Sequence, residues 1–187
     1  YERWYGEVPD QIQATAEDSL VSVIHFENGA VGQWTYFVAA HGRGFAQSVI
    51  YGSQGSLHSP GARNGRPVTL HLDDRGEVTG DAVLDLVPDF RLDRTTARLF
   101  GGERLGSYGF SFPEAHRKLI AVEYQEFGEC VLTGKAPEVD GPMGRKALAL
   151  VSAALESGVL NRPVTLEEIE SEKTGVYEAE INAYWKI

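Results

Sequence analysis

Ser19-Leu20-Val21-Ser22-Val23-Ile24-His25-Phe26-Glu27-Asn28-Gly29-Ala30-Val31-Gly32-Gln33-Trp34-Thr35-Tyr36-Phe37-Val38 is the stretch that decides the fold. Two runs rich in Val, Ile and aromatic residues flank Asn28-Gly29, the strongest short hairpin signal, because a two-residue loop of the primed type needs positive φ at both positions. A two-residue loop sets Phe26 opposite Val31, Val23 opposite Trp34 and Val21 opposite Tyr36. His25 then shares a face with Val23, Trp34 and Tyr36, and the Val23–Trp34 pair anchors the ribbon.

The same reading extends outward. Phe45 to Tyr51 forms a third strand, and Gly52-Ser53-Gln54-Gly55 turns the chain tightly back through Leu57. Pro67–Leu72 and Ala82–Val87 read as further strands around the polar turn Asp73-Asp74-Arg75-Gly76. The Arg-bearing stretch 88–112 has no clear period and reads as a long excursion. From Pro113 the period changes. His116, Ile120, Tyr124, Phe127 and Val131 recur at helical spacing as one apolar stripe through Thr133, with Gly134 as the C-terminal cap. A second helix, about Gly141 to Ser157, places Met143, Ala147, Leu150, Val151, Ala154 and Leu155 on its buried side and ends at Gly158. Thr165 and Glu168 stand at capping-box spacing for a third. The terminal Tyr177, Tyr184 and Trp185 pack or line an interface. The fold class is therefore α+β: an open, mostly antiparallel sheet backed by helices, in a single domain of residues 1–187.

Composition narrows the function. The 187 residues carry 17 Lys+Arg against 27 Asp+Glu, a net charge of −10, which disfavours nucleic acid and anionic membrane surfaces as partners. The 42% hydrophobic content suits a globular core, and 21 glycines exceed the roughly 7% norm and mark many turns. Cys130 is the single cysteine, so no disulfide framework or Cys-based zinc site exists. No run approaches the roughly 18 apolar residues of a membrane span, and the expected location is cytoplasmic.

No dinucleotide fingerprint is present. The nearest approach, Gly42-Arg43-Gly44-Phe45-Ala46-Gln47, lacks the third glycine and leads into a strand, and no Walker-type loop occurs. The five histidines (His25, His41, His58, His71 and His116) form no metal-ligand spacing, so no metal is expected. Cys130, between Glu126 and Glu129 in a helix, reads as a small core residue rather than a nucleophile. His25 and His116 read as structural, and the many Glu between Glu167 and Glu180 as a solvated helix face. One segment carries chemistry: Ala40-His41-Gly42-Arg43-Gly44. Flanking glycines leave the Arg43 guanidinium free to fork onto carboxylate, phosphate or vicinal diol oxygens, with His41 as a neighbouring donor or acceptor. The competing reading is a solvated connection whose glycines serve only the turn.

The order Glu17-Asp18, Ile24 to Gly32, Ile50 to Leu57, Glu123-Tyr124-Gln125-Glu126-Phe127, Ala147 to Leu150 with Ser152 to Ser157, and Arg162-Pro163-Val164-Thr165-Leu166 resembles the C-terminal domain of the glucose–fructose oxidoreductase, inositol dehydrogenase and MocA (Gfo/Idh/MocA) family. The resemblance covers about residues 15–58 and 113–170 and leaves 60–112 unmatched. It implies an enzyme that uses NAD or NADP to oxidise or reduce a carbinol on a sugar, polyol or related ring. It implies further that the cofactor, the catalytic Lys and a D-x-x-x-H pair belong with a Rossmann domain absent from these residues. No catalytic residue and no cofactor are then expected on this chain alone, which should be inactive. The retained contribution is a substrate loop with His41 and Arg43, together with an open sheet face that builds a homodimer or homotetramer. Tyr rather than Met at position 1 fits an origin within a longer protein. The alternative is a stand-alone carbohydrate-binding or scaffolding module of the same fold. A weaker option is a metal-dependent hydrolase or isomerase built from scattered His and carboxylates.

Overall fold

The computed structural model describes residues 17–38, 42, 46–61 and 63–186. They fall into two compact units, one within 1–44 and 149–187, the other within 45–148. The class is α+β, with two open antiparallel sheets.

In the first unit, β1 (Ser19–His25) and β2 (Val31–Phe37) form the expected ribbon. Its register is shifted by one residue: His25 faces Val31, Ser22 faces Trp34 and Leu20 faces Tyr36. The turn explains the difference. Of the central pair only Gly29 takes positive φ (86°); Asn28 instead accepts the Ala30 N–H on its side chain at 3.0 Å. Gly29 N–H donates to Phe26 O at 2.9 Å and Phe26 N–H to Ala30 O at 3.0 Å, which gives a three-residue loop, Glu27-Asn28-Gly29. A slip of one residue reverses which cross-strand partners share a face. Leu20, Ser22 and Ile24 therefore lie with Gly32 and Trp34 on the half-buried side. Val21, Val23 and His25 lie with Val31, Gln33, Thr35 and Phe37 on the exposed side. His25 does not share a face with Trp34 or Tyr36, and the Val23–Trp34 pair is not formed.

The helical part of this unit is organised by one carboxylate. Glu156 is only 2% exposed, on the helix that ends at Leu160. It accepts the Thr174 hydroxyl, the Val176 N–H at 2.8 Å and the Tyr177 N–H at 2.8 Å. Burial alone would raise its pKa. The bonds from Thr174, Tyr177 and Val176, with the Arg162 charge, outweigh burial and hold it below the ordinary value. Between these anchors, Thr165 and Glu168 form the expected capping box. Arg162 reaches the Glu168 carboxylate at 2.8 Å, and this bond, with the Thr165 N–H, lowers the Glu168 pKa to about 2. The Tyr177 hydroxyl donates to the Glu17 carboxylate, tying the segment that precedes β1 to the same loop. Tyr184 and Trp185 are exposed and meet edge-on, with ring centroids 5.1 Å apart.

The second unit opens with β3 (Ser48–Gly52), β4 (Gly55–Ser59), β5 (Thr69–Leu72) and β6 (Gly76–Thr79), an antiparallel meander in chain order. Gly52 pairs with Gly55 across the tight Ser53-Gln54 turn. Gly55 has φ 141°, and a Cβ there would lie 2.0 Å from the His71 carbonyl of the neighbouring strand, so only glycine fits. The expected strand at Ala82–Val87 is instead a helix, α1 (Asp81–Asp85), continued by turns to Val87. The strand expected around the Asp73–Gly76 turn is β6, which ends before Gly80 (φ 62°). Val83, Leu84, Leu86 and Val87 also fit one side of a helix, and Asp81 suits its N-terminal turn.

The stretch 88–112 is likewise not a bare excursion. It contains α2 (Arg94–Phe100), capped by Asp93, whose Oδ1 accepts from Thr95 N–H at 2.8 Å and Thr96 N–H at 3.0 Å. Next comes α3 (Phe112–Thr133), with Pro in its first turn and left-handed Gly134 as its cap. Its apolar stripe is not the buried face. Tyr124, Phe127 and Val131 are 75%, 65% and 68% exposed, whereas Ala115 and Cys130 are buried. The helix α4 (Gly141–Leu160) shows the same offset: Ala149, Ala153 and Glu156 are buried, while Met143, Ala147 and Val151 are exposed. Gly158 does not end α4; Asn161, with φ 51°, follows its last turn.

Three outcomes follow for stability. Glu156→Ala strands three donors and should lower unfolding free energy by about 3 kcal/mol in urea titrations, with Glu156→Gln intermediate. Both Glu156 and Glu168 are more acidic folded than their ordinary value of 4.5. Their contribution is complete above that pH and is lost as the pH falls below it, for Glu168 towards about 2, so the acid side of a stability–pH curve should flatten in a Glu168→Gln variant. Gly55→Ala should cost about 2–4 kcal/mol, read as a fall in the thermal midpoint.

Candidate functional site

The segment singled out by its chemistry joins β2 to β3. His41 and Arg43 lie outside the described residues. Gly42 between them is described, with φ 96° and open space where a Cβ would stand. That conformation favours glycine.

The other histidines are placed individually. His25 is exposed at the end of β1. His116 stacks on Phe112, with centroids 5.8 Å apart and an interplanar angle of 16°. His58 and His71 meet edge-on across β4 and β5, with centroids 5.1 Å apart, and His71 Nε2 lies 4.0 Å from the Glu77 carboxylate on β6. The register puts Val49, Tyr51, Ser56, His58, Thr69, His71, Glu77 and Thr79 on one mostly polar face, with Ile50, Leu57, Leu70, Leu72 and Val78 on the other. The His58–His71–Glu77 line escaped the sequence reading because its members sit on three strands, and only the register brings them together. It offers hydrogen-bonding groups to a polar ligand. Among the described residues no group of three or more His, Cys, Asp or Glu is placed to hold a metal ion. Cys130 is buried within α3, in keeping with its reading as a core residue.

A second polar feature also emerged only with the structure. Arg91, Arg94, Arg98 and Glu103 line a depression of about 540 Å³, together with Leu92 and Ala97. Asp93 starts the short helix that sets Arg94 and Arg98 one turn apart. Its carboxyl is held below the ordinary value by its hydrogen bonds, that to the Thr96 side chain foremost. Asp93 followed by Thr-rich residues and two Arg four apart was the signal available in the sequence.

A dinucleotide needs a parallel β-α-β crossover that presents a helix N-terminus to the pyrophosphate. Among the described residues every strand pairing is antiparallel. The described residues therefore contain no such crossover. Nor is any helix among them long and apolar enough to cross a membrane.

Comparison with known proteins agrees with the fold. Residues 2–166 match the family described as "Oxidoreductase family, C-terminal alpha/beta domain". The match runs through 60–112, the stretch that motif order alone left unassigned. No curated protein and no solved structure matches the chain. With its antiparallel sheets, its helices and a match over most of its length, the chain belongs to the Gfo/Idh/MocA oxidoreductase family as a C-terminal α/β domain.

Proposed function

We propose that this domain forms the substrate-side wall and the assembly surface of a cytoplasmic NAD(P)-dependent oxidoreductase acting on a sugar, polyol or related hydroxylated ring compound. The nicotinamide and the proton-transferring groups belong to a Rossmann domain, since the 187 residues carry no phosphate-binding fingerprint. His41 and Arg43 contact the substrate. A guanidinium offers a fork of donors to adjacent hydroxyl or carboxylate oxygens, and an imidazole adds one donor or acceptor.

The observation that carries the assembly role is the exposed side of the β1–β2 ribbon. Val21, Val23, Val31 and Phe37 are 62%, 63%, 64% and 56% exposed, on a single face. Protomers with a net charge of −10 repel one another, so association depends on burying such an apolar face rather than on ion pairs.

Two experiments test the reading. In the oxidoreductase that contains this domain, Arg43→Ala and His41→Ala should each raise KM about 10- to 100-fold with a smaller change in kcat, the pattern of lost substrate binding. An unchanged KM in both removes them from the substrate site, and failure to oxidise any polyol with NAD or NADP favours the binding-module alternative. By light scattering at micromolar concentration the protein should be a dimer or tetramer. Val23→Asp should weaken association at least tenfold; a monomeric wild-type protein overturns the assembly role.

A further inference from the structure

The arginine-lined depression of the second unit has no part in the function proposed above. Arg94 and Arg98 are exposed, and neither guanidinium makes a hydrogen bond or ion pair with any described residue. Like charges one helical turn apart weaken a helix by a few tenths of a kcal/mol. Here they stand unpaired in a chain with 27 acidic residues. Arg91 uses Nη1 on the Pro88 and Phe90 carbonyls, both at 2.7 Å, and keeps the rest of its fork.

The ground beneath these three side chains is firmly built. Arg104 donates to the carbonyls of Leu84 at 2.6 Å, Phe90 at 3.1 Å and Val87 at 3.2 Å, and also to Pro88. Leu92 N–H donates to Glu103 O at 2.8 Å, which closes the loop beside the depression. At the far end of α2, Phe100 is buried against Tyr108 with centroids 5.1 Å apart. Lys118 Nζ donates to Leu99 O at 2.7 Å. Arg104 is thus consumed by structure, while Arg94 and Arg98 stand with their donors unspent on a helix anchored by Asp93 at its start and by Lys118 near its end, an arrangement that favours binding by preorganisation.

Charge and shape select the ligand. Three arginines against Glu103 leave two positive charges in the lining, the complement of a phosphate monoester, which carries about −1.5 to −2 at neutral pH. Guanidinium forks match phosphoryl oxygens two at a time. We propose that the depression binds the phosphoryl group of a small phosphate monoester, gripped by Arg94 and Arg98 with support from Arg91.

The test titrates the full chain with glycerol 3-phosphate, inorganic phosphate and glycerol, by calorimetry and by amide shifts over residues 91–103. Glycerol 3-phosphate should bind saturably and glycerol should not. The double variant Arg94→Gln/Arg98→Gln should bind at least tenfold more weakly, while Arg117→Gln, an exposed control on α3, should bind as the parent does. Circular dichroism of the double variant should retain the parent's melting midpoint, which separates lost binding from lost folding. Inorganic phosphate binding as tightly as the ester supports a site for the phosphoryl group alone; weaker binding supports recognition of the ester's body as well. Absence of saturable binding of either phosphate at 10 mM, or parent-like binding by the double variant, overturns the proposal.

Discussion

A carboxylate at 2% exposure is tolerated only where its oxygens are engaged, and Glu156 meets that condition with one hydroxyl and two backbone N–H donors. Those donors come from the loop 174–177, some twenty residues further along the chain. Ordering that loop costs backbone entropy, and a buried charge with three partners is a strong local offset to it. The consequences spread through the first unit. Arg162, whose charge helps keep Glu156 ionised, also reaches Glu168 and so braces the capping box. Tyr177, fixed by its N–H to Glu156, turns its hydroxyl to Glu17 and reaches the segment entering β1. One ionised group thus orders a helix end, a turn and the approach to the ribbon.

The ribbon illustrates what a sequence pattern conveys and what it does not. Alternation and Asn28-Gly29 were enough to place a hairpin within a residue of its true ends. They could not choose between a two- and a three-residue loop, because that choice rests on whether Asn28 adopts positive φ or turns its side chain to the Ala30 N–H. The second solution wins, and with period-2 geometry a single residue decides which cross-strand partners meet. Val23 therefore lies across from Gln33 rather than Trp34. The solvent side collects valines and Phe37.

The helices show a related limit. Pro113 and Gly134 bracketed α3 closely, since both act through local backbone geometry. Which face turns inward is not local. Ile120, Tyr124, Phe127 and Val131 form the more hydrophobic stripe, yet the buried positions include the small residues Ala115 and Cys130. Likewise Ala149 and Ala153 are buried on α4 beside Glu156. Small side chains permit close approach of neighbouring backbone, and a binary apolar pattern gives them less weight than large ones. The strand expected at Ala82–Val87 failed for another reason: a short run that is apolar but for Asp85 fits both periods, and only Gly80 and Asp81 at its start argue for a helix.

Polar sites were legible in proportion to how local they are. Arg43 between two glycines stood out because the flanking residues themselves announce an unusual backbone, and Gly42 does adopt one. His58, His71 and Glu77 did not, being spread over three strands whose register must be known first. The arginines of 88–112 are an intermediate case, as their spacing is local but their meaning depends on which of them the fold consumes. Arg104 and Arg94 are the same residue type ten positions apart. Four main-chain carbonyls occupy the first, whereas the second has no partner among the described residues. A guanidinium that holds several main-chain carbonyls at once ties a loop together through hydrogen bonds that water would otherwise supply, and its donors are spent on them. An exposed, unpaired guanidinium adds little to stability and retains all its donors. Separating these two uses of arginine requires knowing where the carbonyls of 84–90 point, and that is a property of the folded chain.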